Sequence, residues 1–154
     1  MITRQRLCWI LAFASLLLGS GVLAIDKIID RQFPARPGGT FELDSDRGSV
    51  AIASGADDHV AVRIRLRARA GSASQADEIF EDFRVHFDET GDGVTMEARC
   101  ARDGWSLFGS GDNKLNVHFE VEVPARFNLR VKTGGGGISV TDLEGDIQCR
   151  TSGG

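Results

Sequence analysis

The sequence predicts an all-β fold: β-solenoid rungs with an N-terminal antiparallel β insertion and one short helix. Three observations carry this expectation. The stretch Leu129–Gly154 alternates Leu129, Val131 and Thr133, and the same alternation returns 18 residues later as Ile147, Cys149 and Thr151, with glycines after each threonine. An earlier, degenerate copy runs F-x-L-x-S-x-x-G-x-V-x-I from Phe41 to Ile52, against L-x-V-x-T-x-x-G-x-I-x-V from Leu129 to Val140. Nearly every other segment alternates at strand period two, and only one has helical spacing. A single rung cannot bury its apolar face alone, so stacked equivalents must supply the core. Leu129 is therefore expected over Ile147, Val131 over Cys149 and Thr133 over Thr151, with Gly134–Gly137 and Gly145 at corners.

The elements follow in order. Residues 1–24 read as a signal peptide: Arg4 and Arg6, an uncharged apolar run from Leu7 to Leu18, and small residues at Val22 and Ala24. An uncleaved anchor is the competing reading, because the uncharged span reaches Ile25. Either implies export, to the periplasm, cell envelope or exterior. Residues 25–39 mix charges with Pro34, Pro37 and Gly38-Gly39 and suit a linker. The ordered domain is expected over 40–154, truncated at its C-terminus because Gly154 falls inside the corner of a further rung. The net charge of −4 becomes −6 without Arg4 and Arg6, which disfavours nucleic acid as a partner.

Within the domain, His59–Ala70 is a long strand with Val60, Val62, Ile64, Leu66 and Ala68 on one face and four arginines on the other. Ser72 and Ser74 offer N-cap hydroxyls, and Ile79, Phe80 and Phe83 form the apolar side of a short helix. Phe83-Val85-Phe87 and Val94-Met96-Ala98-Cys100 alternate around Thr90-Gly91-Asp92-Gly93, a hairpin signal. A glycine- and serine-rich loop over 103–114 precedes the strand Leu115–Val123, which Pro124 stops.

The ordered series of F-P-x-x-x-G-G-T-F-x-L, a basic strand, an acidic helix, a D-G hairpin, W-x-L-F-G, V-x-V-P-A and T-x-G-G-x-I-x-V-x-D-L-x-G resembles the bacterial putative adhesin family over about residues 33–154. The resemblance implies a secreted or envelope β-solenoid and brings no catalytic residues with it.

Candidate sites are few. Arg63, Arg65, Arg67 and Arg69 form a stripe suited to an anionic ligand, since guanidinium pairs well with carboxylate and phosphate. The plainer reading is a solvated face balanced by Glu97, Glu120 and Glu122. Trp105, Leu107 and Phe108 form either an aromatic contact loop or a lid folded onto the core. Gly134–Gly137 lacks the Lys and Ser/Thr of a phosphate loop. His86, His118 and Glu120 lack zinc-site spacing. Asp142, Glu144 and Asp146 are the acids a sugar-cleaving enzyme would need, though turns favour such residues anyway.

Cys100 and Cys149 are expected inward as buried thiols, and a disulfide between them is the alternative in an oxidising compartment. Lys132 is expected beside Arg150, and Arg130 beside Gln148, as an outer basic ladder. No cofactor, metal or catalytic residue is expected. The function this implies is a non-enzymatic exported envelope module with an adhesin-like, assembly or stress-sensing role. The alternative is a glycan-binding or glycan-cleaving β-helix protein. Expected partners are a cell-surface glycan or envelope component, with self-association through the open C-terminal edge.

Overall fold

A computed structural model describes residues 23–101 and 114–153. Its elements are β1 (Leu23–Pro34), β2 (Thr40–Ser45), β3 (Ser49–Ser54), β4 (His59–Ala70), α1 (Ala73–Glu81), β5 (Phe83–Thr90), β6 (Gly93–Cys100), β7 (Leu115–Val123), β8 (Asn128–Thr133), β9 (Ile138–Thr141) and β10 (Ile147–Thr151). They form two five-stranded sheets, ordered β1-β4-β7-β3-β9 and β10-β8-β2-β6-β5. The chain is thus mostly β with one helix, in mixed sheets, with no closed barrel among the described residues.

The repeated segments pair in the register their spacing requires. In the second sheet β8 lies between β2 and β10, all parallel: Phe41 pairs with Leu129 and Leu129 with Ile147, then Leu43 with Val131 and Val131 with Cys149. In the first sheet Val50 pairs with Ile138 and Ile52 with Val140. Slipping by one residue would turn every apolar side chain of a strand outward, so burial enforces this alignment.

The corners repeat as well. The Thr133 hydroxyl donates to the Gly48 carbonyl at 2.8 Å, and the Thr151 hydroxyl donates to the Gly136 carbonyl at 2.9 Å. Gly48 and Gly136 have φ of +111° and +109°, a region glycine enters without a Cβ penalty.

The two sheets face each other across one core. Phe41, Leu43, Met96, Phe127, Leu129 and Val131 come from one side, and Val50, Ile52, Ile64, Leu66 and Phe119 from the other. Burying each such side chain contributes about 1.5–3 kcal/mol. Phe83 and Phe119 meet across the layers with ring centroids 6.4 Å apart. The helix begins where the serines indicate: Ser72 accepts a hydrogen bond from the Gln75 amide as N-cap, and Ala76 and Phe80 are buried.

Three expectations need correction. Residues 25–39, read as a linker, contain most of β1, which pairs antiparallel with β4 over its whole length from Leu23–Ala70 to Pro34–His59. Its inward positions include Lys27 and Arg31, so no apolar alternation marked it. Lys27 is accommodated with its ammonium 5.6 Å from the centre of the Phe80 ring, a cation–π arrangement.

Second, β6 and β7, assigned to the antiparallel insertion, run parallel to β2 and β3 and extend the same parallel stack. Only β1–β4, β4–β7 and β5–β6 pair antiparallel. Third, Cys149 is exposed and Cys100 half-buried, and no disulfide joins them. With β8 and β2 between their strands, they are three strand spacings apart, about 14 Å, whereas a disulfide needs Cα atoms within about 7 Å. Burial against the last rung still pushes the Cys149 thiol pKa up.

Candidate functional site

The outward side chains of the two sheets make two charged faces of different construction. On the first sheet, β4 presents the four arginines outward because their neighbours Ile64, Leu66, Ala68 and Ala70 are buried. Carboxylates meet three of them. Arg63 Nε donates to Asp30 Oδ1 at 2.7 Å, Arg67 binds both oxygens of Asp26 at 2.7 and 2.9 Å, and Arg65 Nη2 lies 3.1 Å from Glu120 Oε1. The hydrogen bond from Arg67 holds the Asp26 carboxyl pKa below its usual value, and Asp30 and Asp26 in turn raise those of Arg63 and Arg67. Arg69, paired in register with Ala24, has no carboxylate partner among the described residues. The stripe is thus in large part internally neutralised, by acids on β1 as well as by the anticipated Glu120.

Next to it, Ser49 Oγ and His118 Nδ1 share a 2.7 Å hydrogen bond, because Ser49 and His118 are register partners on β3 and β7. Their separation of 69 residues hid this pair from the sequence. The geometry does not make a relay: His118 Nε2 is 3.7 Å from Glu120, beyond hydrogen-bonding distance, and Arg65 already engages that carboxylate. The adjacent Gly48 amide donates to Gly135 O and is not free to stabilise an oxyanion. Among the described residues no group of three or more His, Cys, Asp and Glu is placed to hold a metal.

On the second sheet, outward rows cross the parallel strands. One row runs Glu42, Arg130, Gln148 and the next runs Asp44, Lys132, Arg150. Asp44 accepts from Arg99 at 3.0 Å and lies 3.6 Å from Lys132, and the Arg99 hydrogen bond foremost lowers its carboxyl pKa. Arg130 and Arg150 are exposed and make no ion pair among the described residues. These rows border a shallow depression of about 590 Å³.

The remaining candidates divide. Asp142, Glu144 and Asp146 serve the corner: Asp142 has φ of +55°, Glu144 exchanges backbone bonds with Ala125 and Phe127, and the Asp146 amide donates to the Asn128 side chain. Trp105, Leu107 and Phe108 lie outside the described residues. No helix among the described residues is long and apolar enough to cross a membrane.

No family model and no curated protein matches this sequence. Solved structures with a similar course of chain include a "putative cell adhesion protein" from Clostridium sporogenes, at 9% identity and a TM-score of 0.46 over 81% of this chain and 58% of that one. A "putative adhesin" from Bacteroides fragilis has 9% identity and a TM-score of 0.31, covering 80% and 56%. Another, from Parabacteroides distasonis, has 10% identity and a TM-score of 0.32, covering 81% and 55%. The chain spans little more than half the length of these proteins.

Proposed function

We propose that this chain is a non-enzymatic, exported envelope module whose β-solenoid-type rungs present ordered rows of side chains for adhesion or assembly. The observation that carries the reading is the in-register parallel stacking of β2, β8 and β10, which turns outward residues into straight rows whose members lie about 4.8 Å apart. A rigid, regularly spaced row suits a repetitive polymer or surface better than a single small molecule, because its contacts fall at a fixed interval. Export rests on Arg4, Arg6 and the apolar run after them.

The test is saturable retention of the labelled full chain on bacterial envelope fractions, with reducing-sugar release followed in parallel. Saturable binding without product formation is the expected result. Absence of saturable binding overturns the adhesin-like role, and steady product release overturns the non-enzymatic one.

A further inference from the structure

We infer that Arg130, Lys132 and Arg150 form a binding site for a carboxylated polysaccharide on the outer face of the second sheet. This deepens the proposed surface-binding role by naming the ligand class and the strands that hold it. Lys132 and Arg150 are register partners on adjacent parallel strands, so two basic side chains rise from backbones about 4.8 Å apart. Arg130 stands two residues before Lys132 on the same face of β8. Like charges held opposite each other in a sheet are destabilising, so the arrangement is paired only when something anionic lies across it. Within the chain, Asp44 answers Lys132 at 3.6 Å but is shared with Arg99 at 3.0 Å, and no acid among the described residues engages either arginine. Arg63, Arg65 and Arg67 are each met by a carboxylate, whereas Arg130, beside Glu42 in register, and Arg150 make no ion pair among the described residues.

The shape and the flanking residues select among anions. The cations border the depression of about 590 Å³, and Glu42, Asp44 and Gln148 line it beside them. Carboxylates and an amide next to guanidinium groups match a polyhydroxylated chain: the arginines take its carboxylates in bidentate pairs, and Glu42, Asp44 and Gln148 take its hydroxyls. A polyphosphate, with its charges closer together and no hydroxyl groups to offer, would set its anions against Glu42 and Asp44 with nothing for them to accept from.

The experiment measures binding of the full chain to polygalacturonate, with neutral dextran, polyphosphate and anionic phospholipid vesicles as comparison probes, at several salt concentrations. Polygalacturonate is expected to bind, to lose at least tenfold in affinity in both Arg130→Gln and Arg150→Gln, and to show a shallower salt dependence in each. Arg63→Gln, on the opposite sheet, is expected to leave affinity within about twofold. All three positions are exposed, and unchanged thermal melting verifies that each variant is folded. Equal loss in Arg63→Gln, no loss in Arg130→Gln and Arg150→Gln, or tighter binding of polyphosphate or vesicles than of polygalacturonate overturns the inference. If the chain is retained on envelope fractions but polygalacturonate neither binds nor competes, the ligand assignment fails while the surface-binding reading stands. If envelope retention itself is absent, that reading fails on its own evidence.

Discussion

The two outer faces carry similar numbers of arginines and lysines and solve the resulting repulsion differently. On the first sheet the strands flanking β4 come from unlike sequences, β1 and β7, and place Asp26, Asp30 and Glu120 among the arginines. On the second sheet β8 and β10 are copies of one pattern stacked in register, so equivalent positions meet and Lys132 falls beside Arg150. Across β2, β8 and β10 the inward positions stay apolar from copy to copy, whereas the outward ones vary: Glu42 and Asp44 stand beside Arg130 and Lys132, while Lys132 and Arg150 set like charges side by side. Stacked copies therefore share a core without sharing a surface charge.

Both faces depend on that core, so the largest expected effect comes from removing it. Phe41→Ala, at a position with 0% exposure between Leu129 and Val94, should cost about 3–5 kcal/mol in denaturant unfolding. A loss below about 1 kcal/mol would mean that β2 is not the centre of the second sheet. The corner hydrogen bond offers a sharper contrast. Thr133→Val takes the donor from the half-buried Gly48 carbonyl and should cost about 0.5–1.5 kcal/mol. Thr151→Val removes the same bond where water can replace it and should stay within about 0.5 kcal/mol.

The faces themselves are separated by one substitution made twice. Arg63→Glu breaks the bond to Asp30 and sets a carboxylate opposite Glu120, so it should lower the melting temperature slightly. Arg150→Glu sets a carboxylate opposite Lys132 and should stabilise by a similar amount. Equal signs in thermal melting would erase the distinction between the faces.

The smallest effect is on acid stability. The Asp26 carboxyl pKa is lowered in the folded chain by Arg67, so its contribution is present above the unfolded carboxylate value near pH 4 and is lost as pH falls through the folded value. Asp26→Asn should flatten the stability profile below about pH 4 and leave its shape above pH 6 unchanged. A change of slope near neutrality instead would reassign the effect to another group.

These contrasts also explain what could be read beforehand. The rung register was legible because Leu129, Val131 and Thr133 recur at a fixed interval with the same chemistry, and the hairpin because Gly91 and Asp92 separate two clean alternations. The outward direction of the β4 arginines followed from period two. A balancing role for Glu120 followed as well, but not that of Asp26 and Asp30, which lie 41 and 33 residues away in a segment whose inward face carries Lys27 and Arg31. The parallel course of β6 and β7 beside β2 and β3 was hidden for the same reason: unlike sequences give no period to align. The Ser49–His118 pair is a product of that hidden register.

The central claim is the 18-residue register, and native Cys149 supplies a direct probe of it. In Val131→Cys the two sulfurs sit on register partners about 4.8 Å apart, within the Cα range a disulfide accepts, whereas Leu43→Cys lies one further strand away. Mild oxidation followed by peptide mapping should give a crosslink between residues 131 and 149 in the first variant and none to residue 149 in the second. A crosslink from Leu129→Cys to Cys149, with none from Val131→Cys, would contradict the register and the account of both faces built on it.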